Sequence, residues 1–255
     1  GDCCLDDPYT LFGDVCGIEV GGWASIGYHT KALPLFNSRP DNVQLQQAWL
    51  YAEKAIDTSC GFDIGGRIDY VYGTDGPDTQ AFGIDNGDSY LGGFSAGLTD
   101  DLTLTYATTV GRFNERQGVA GGAERGYMHS IVADYAVSDN LQYIIQSDVL
   151  DSEDAAGATV RDTFGINQYL IYNINDCLSL GSRFEWYQSE GVFNDGNNVD
   201  SDVYALTTGI NYRPHANVLI RPEVRWDWVD GDYTGILENN DDDQTTFGFD
   251  TIFTF

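Results

Sequence analysis

The chain has 255 residues, of which 40 are acidic and 12 basic, for a formal net charge of −28. That balance excludes nucleic acid as a partner, because phosphates need lysine and arginine to neutralise them. With 42% hydrophobic and 13% aromatic residues the chain is too apolar to be disordered, yet no apolar run approaches the ~18–20 residues of a membrane helix.

Residues 1–16, which open "GDCCLDDPYT", carry Cys3, Cys4 and Cys16 and lack the alternation that follows. They are expected to form a periplasmic segment ahead of a single domain at 17–255, after removal of a leader peptide. From there apolar and polar residues alternate with period two at 17–31, 42–54, 60–73, 88–98, 102–113, 125–137, 141–151, 162–174, 177–189, 201–213, 218–230 and 243–255. In "VLIRPEVRWDWVD", Val218, Ile220, Val224, Trp226 and Trp228 share one face; Arg221, Glu223, Arg225 and Asp227 share the other. Most segments exceed the ~5–6 residues of an ordinary strand. Eleven residues at ~40° tilt rise about 28 Å, enough for an outer-membrane apolar band of ~25 Å.

The connections alternate in length. "AIDTS", "TDD", "SDN", "ND" and "PHAN" are short and rich in turn residues, whereas 32–41, 74–87, 114–124, 152–161, 190–200 and 231–242 are long. This rhythm predicts an all-β fold: a transmembrane, antiparallel up-and-down β-barrel of about twelve strands, with short periplasmic turns and longer extracellular loops. On the apolar face Tyr28, Tyr70, Tyr72, Tyr127, Trp186, Tyr204, Trp226 and Trp228 fall toward the long-loop end. Tyr135, Tyr143, Tyr172, Tyr212 and Phe255 fall toward the short-turn end. Two belts of amphipathic rings are what two water–lipid interfaces select. The last segment, "DQTTFGFDTIFTF", is expected to close onto the first, so that lipid covers Phe247, Phe249, Phe253 and Phe255.

"TTFGFDTIFTF" resembles the closing strand of bacterial outer-membrane barrels. "GGWASIGYHT", "FDIGGRIDYVYGTDG", "RGYMHSIVADY", "FGINQYLIYNINDCLSLGSRFEWY" and "NYRPHANVLIRPEVRWDW" resemble the beta-barrel porin-2 (OmpL-like) family. The likeness runs from Gly21 to Phe255. It implies an outer-membrane barrel and a pore, assembled by the barrel assembly machinery through the terminal Phe255, with no catalytic residue to carry over. Members are longer, with further strands where this chain has only residues 74–87.

Twelve strands close to a backbone radius of ~12 Å. The face turned inward is expected to line the pore with Asp63, Arg67, Asp69, Asp134, Asp148, Arg183, Glu185, Arg221, Glu223, Arg225, Asp227 and Asp250, joined by Glu19 and Asn167. Mixed charges on one wall suit a transverse field across a wet constriction, and the acidic excess favours cations. The expected function is a porin in the bacterial outer membrane, a passive channel for small hydrophilic solutes, with lipid around it and room for a homo-oligomer. The alternative is a non-conducting structural or adhesive barrel presenting acidic loops, its lumen filled by ion pairs.

Among the remaining features, the acidic loops "ENNDDDQ" and "FNDGNNVDSD" are oxygen-rich in a way that suits Ca²⁺, but neither has EF-hand spacing and solvated charge is the favoured reading. No other cofactor or metal is expected. Cys3, Cys4, Cys16, Cys60 and Cys177 all fall near the periplasmic rim, where disulfides form. His29, His129 and His215 have no triad partners in the sequence, so no enzyme is expected.

Overall fold

The computed structural model describes residues 5–15, 17–32, 39–55, 65–75, 89–115, 123–154, 156–190, 201–231, 237–238 and 241–255. Its strands are β1 (Gly13–Val15), β2 (Ile18–His29), β3 (Gln44–Lys54), β4 (Gly66–Tyr72), β5 (Ser89–Gly97), β6 (Leu102–Glu115), β7 (Ala123–Ser138), β8 (Leu141–Glu153), β9 (Thr159–Asn175), β10 (Leu178–Glu190), β11 (Ser201–His215), β12 (Val218–Gly231) and β13 (Asp243–Thr254). Twelve of them form one antiparallel sheet in the order β4-β3-β2-β13-β12-β11-β10-β9-β8-β7-β6-β5, and β1 pairs with β2. Each neighbour is the next strand in the chain except at the β2–β13 joint, the signature of an up-and-down barrel.

That joint is the expected closure of last strand on first. Gly248 lies opposite His29 and Thr254 opposite Trp23. The pairing continues into the terminal residue: Phe255 N–H donates to the Gly22 carbonyl at 3.0 Å, and Gly22 N–H donates to the Phe255 carbonyl at 2.9 Å. Glycine is required at position 22, because a Cβ there would run into the backbone carbonyl of Trp49 as well as the Phe255 ring. The three-residue β1 then takes up the lower end of β2, with Val15 opposite Ile18.

Two features depart from the expectation. The ladders run past the alternating stretches: β9 spans 17 residues and starts at Thr159, inside the connection expected at 152–161. Backbone pairing needs no apolar face, so strands extend into water above the apolar band. More importantly, the described strands do not close the cylinder. Among the described residues β4 pairs only with β3 and β5 only with β6, leaving an open joint between β4 and β5.

Candidate functional site

Register decides which side chains share a wall. Glu19, Glu53 and Arg67 align across β2, β3 and β4. Asp134, Ile144, Tyr169, Arg183, Thr207, Arg225 and Thr246 align across β7 to β13. Strand alternation then puts Asp69, Asp148, Glu185, Arg221, Glu223, Asp227 and Asp250 on that same face. Asp63 lies outside the described residues. The face is concave. A cavity of about 570 Å³ is lined by Asn173, Asn175, Ser179, Asn211, Arg213 and Arg221, among others. A second, of about 370 Å³, is lined by Tyr169, Arg183, Thr207, Arg221, Glu223 and Asp250, among others. These cavities lie in the short-turn half of the lumen.

Cross-strand geometry pairs the arginines with particular acids. Arg225, at 18% side-chain exposure, donates from Nη1 to Glu185 and from Nε to Asp227, both at 2.7 Å. Asp227 is 1% exposed. Arg183 lies 3.0 Å from the same Glu185 carboxylate, so β10 and β12 are joined by an Arg–Glu–Arg–Asp chain. Arg221 grips Asp250 of β13 through Nε and Nη2 in a two-pronged contact. Arg67 bridges Glu53 and Asp69 on β3 and β4. Four inward acids take no basic partner in this network: Glu19 accepts from Tyr51, Asp134 from Gln142 and Asp148 from Gln146, while Glu223 stands beside Arg221.

The long-loop half of the same wall is covered. The buried polar residues Ser25, His29, Gln44, Ser152, Thr163, Ser201, Thr207, Asp227, Gln244 and Thr246 all face inward and all lie in the half nearer the long loops. Described loop residues contribute to this burial. Leu237 is 4% exposed. Its neighbour Glu238 donates its N–H to Gln244 and pairs with Lys31 at 3.3 Å. Gln244 in turn donates to the Ala32 carbonyl. Long-loop residues from opposite sides of the β2–β13 joint therefore meet at its upper end.

One inward group was not foreseen. Trp23 and Trp49 face each other across β2 and β3 and stack with centroids 4.9 Å apart and planes at 13°. Their indole N–H groups donate to Gln47 and Asp69. Below them the Arg67 guanidinium covers the Tyr51 ring at 4.2 Å. The parity that sends Glu19 inward also sends Trp23 inward. That signal is present in the sequence, in the same alternation that places the outer belts.

The outer belts lie on the opposite, convex face. Tyr70 and Tyr72 are 62% and 63% exposed. Tyr204 stacks on Trp228 at 5.3 Å, Trp226 lies 4.6 Å from Trp228, and the Trp186 indole donates to Asp202 at the upper rim. Tyr172, Tyr212 and Phe255 mark the lower rim, where Tyr143 instead turns its hydroxyl to Gln168. His129 sits on this outer face between Tyr127 and Tyr106, whose hydroxyl meets its Nδ1 at 2.6 Å. Cys177 is buried at the lower rim; Cys3, Cys4, Cys16 and Cys60 lie outside the described residues, as do residues 191–200 and 239–240 of the acidic loops.

Comparison with solved structures returns outer-membrane barrels. A loop-deletion form of OmpT from Vibrio cholerae covers 93% of this chain and 99% of its own at 12% identity, with a TM-score of 0.58. The outer membrane channel DcaP of Acinetobacter baumannii covers 97% of this chain and 100% of its own at 10% identity, TM-score 0.53. At such identity the likeness shows the fold alone. No curated protein sequence matches the chain. The family described as "Putative beta-barrel porin-2, OmpL-like" matches in two pieces, residues 17–90 and 83–255, which meet where the sheet is open between β4 and β5. An apolar ringed exterior, a charged concave interior and a family match across both pieces lead to one conclusion: this chain belongs to the beta-barrel porin-2, OmpL-like family.

Proposed function

We propose that the protein is a porin of the bacterial outer membrane that passes small hydrophilic solutes and ions by passive diffusion, with a weak preference for cations. One observation supports the preference above others. Arg67, Arg183, Arg221 and Arg225 are each engaged by carboxylates and Arg213 donates to the Ala216 carbonyl, while Glu19, Asp134, Asp148 and Glu223 keep negative charge facing the lumen without a basic partner in the network. In a narrow low-dielectric lumen such an excess concentrates counter-ions. On this reading lipid surrounds the barrel, the assembly machinery reads Phe255, and the chain performs no catalysis and needs no cofactor; Ca²⁺ in the acidic loops is not required. A homo-oligomer fits the reading, and the OmpT barrel of Vibrio cholerae has been solved in a trimer form. A disulfide between Cys177 and another cysteine of the periplasmic rim belongs to the same reading.

The test is planar-bilayer recording across a salt gradient. A stable conductance with a reversal potential on the cation side is expected; folded protein that passes no current would end the proposal. The covered upper lumen favours the second reading, a non-conducting barrel that presents acidic loops to a partner. That reading predicts silence in the same recording.

A further inference from the structure

The cavity of about 570 Å³ lies at the short-turn end of the lumen, against β9 to β12. Its volume falls within the ~300–1,000 Å³ of sites that hold small molecules. Register builds its wall. Asn173 lies opposite Ser179, and Ser179 opposite Asn211, so the three make one polar row across β9, β10 and β11. Arg213 follows Asn211 by two residues and lines the same cavity. Its backbone N–H donates to the Cys177 carbonyl at 2.8 Å, which ties the end of β11 to the turn before β10.

These side chains hold hydrogen-bonding capacity that the wall does not use. Among the described residues the Arg213 guanidinium makes one contact, from Nη1 to the Ala216 carbonyl at 3.3 Å, and meets no carboxylate. Arg67, Arg183, Arg221 and Arg225 are by contrast held by acids. Asn211 donates from Nδ2 to the Ser179 hydroxyl at 3.3 Å, which aims its amide along the row. The side-chain amide of Asn173 is exposed and makes no hydrogen bond among the described residues. The acids in the lining, Asp139 and Asp176, sit in exposed turns at the rim, outside the row.

An unengaged guanidinium presents a planar fork of donors that matches a carboxylate. Amides and a hydroxyl offer donors and acceptors together, so they match alcohol groups and not alkyl ones. The surrounding lumen carries an excess of negative charge, which repels a dianion more than a monoanion. We propose that Asn173, Ser179, Asn211 and Arg213 form a subsite for a small hydroxylated monocarboxylate, its carboxylate on Arg213 and its hydroxyls on the polar row. This deepens the diffusion reading, on which it rests, by naming a solute class. Arg213 gives such an anion a foothold in a lumen whose net charge opposes it.

The test is saturation-transfer NMR on the full chain folded in detergent, with three probes that share one carbon skeleton. Erythronate carries the carboxylate and the hydroxyls, butyrate only the carboxylate, and erythritol only hydroxyls. Erythronate is expected to bind in the millimolar range, and each of the others about tenfold more weakly or worse. Arg213→Met should reduce erythronate to the level of erythritol. Asn173→Ala should weaken erythronate and leave butyrate unchanged, and it keeps the test intact if Arg213→Met does not fold, as judged by heat-modifiable gel mobility. Arg67→Ala, at an arginine already held by acids, should change nothing. Three results overturn the proposal: folded protein that does not bind erythronate, butyrate or erythritol binding as well as erythronate, or erythronate affinity unaltered by Arg213→Met and Asn173→Ala. The readout needs no current. A silent barrel that binds erythronate ends the porin reading and leaves the subsite standing, and a conducting barrel that does not bind it does the reverse.

Discussion

Arg225 offers the sharpest test of how the inner wall is held. Its side chain makes two charge-assisted hydrogen bonds of 2.7 Å, to Glu185 on β10 and Asp227 on its own strand, at 18% exposure. Hydrogen bonds to charged groups contribute about 1.5–3 kcal/mol each. Truncation would also leave Asp227, 1% exposed, without its counter-charge; breaking a buried pair costs about 3–5 kcal/mol. Glu185 keeps Arg183 at 3.0 Å, which limits its share of the loss. Arg225→Ala should therefore destabilise the folded barrel by about 3 kcal/mol. The assay is equilibrium urea unfolding in lipid or detergent, followed by tryptophan fluorescence. The combined Arg225→Met and Asp227→Leu variant removes both charges together and should recover most of the loss, because nothing buried remains unpaired. Arg67→Ala is the control: its partners are comparable, but the group is 40% exposed, and about 1 kcal/mol or less is expected. If Arg225→Ala unfolds within about 1 kcal/mol of the parent, the chain of ion pairs is not what fixes β10 against β12, and the argument fails.

Depth on the outer face can be read by arginine substitution. Val224→Arg, at a 50% exposed position within the apolar band, should cost about 2–4 kcal/mol, and Tyr72→Arg, at a 63% exposed position near the upper rim, about 0–1 kcal/mol; equal costs would contradict the bilayer assignment. Leu237→Asp should unseat the loop contact at the upper end of the β2–β13 joint and raise single-channel conductance, since a carboxylate cannot occupy a site that leaves leucine 4% exposed. Unchanged conductance would show that this segment does not narrow the path. Glu223→Arg reverses one of the inward charges without a basic partner and should move the reversal potential toward anion selectivity, with folding unaffected as judged by heat-modifiable gel mobility.

The pattern of faces was legible along the chain because side-chain alternation is a local property with period two. Val218 through Trp228 showed it, and so did the closing strand, whose pairing with β2 follows once every segment needs two neighbours. The rhythm of short and long connections likewise placed both rims. Partner choice was not legible. Arg225 reaches a glutamate 40 positions away and Arg67 one 14 away, distances set by register and loop length rather than by alternation. The stacking of Trp23 on Trp49 depends on β2 and β3 matching to the residue, past the irregularity between Ser25 and Ile26. The contact of Glu238 with Lys31 and of Gln244 with Ala32 is loop packing, which has no periodicity to announce it. Nor does alternation say whether two edges meet: β4 and β5 carry the right faces and directions, and only the three-dimensional arrangement shows them unpaired among the described residues.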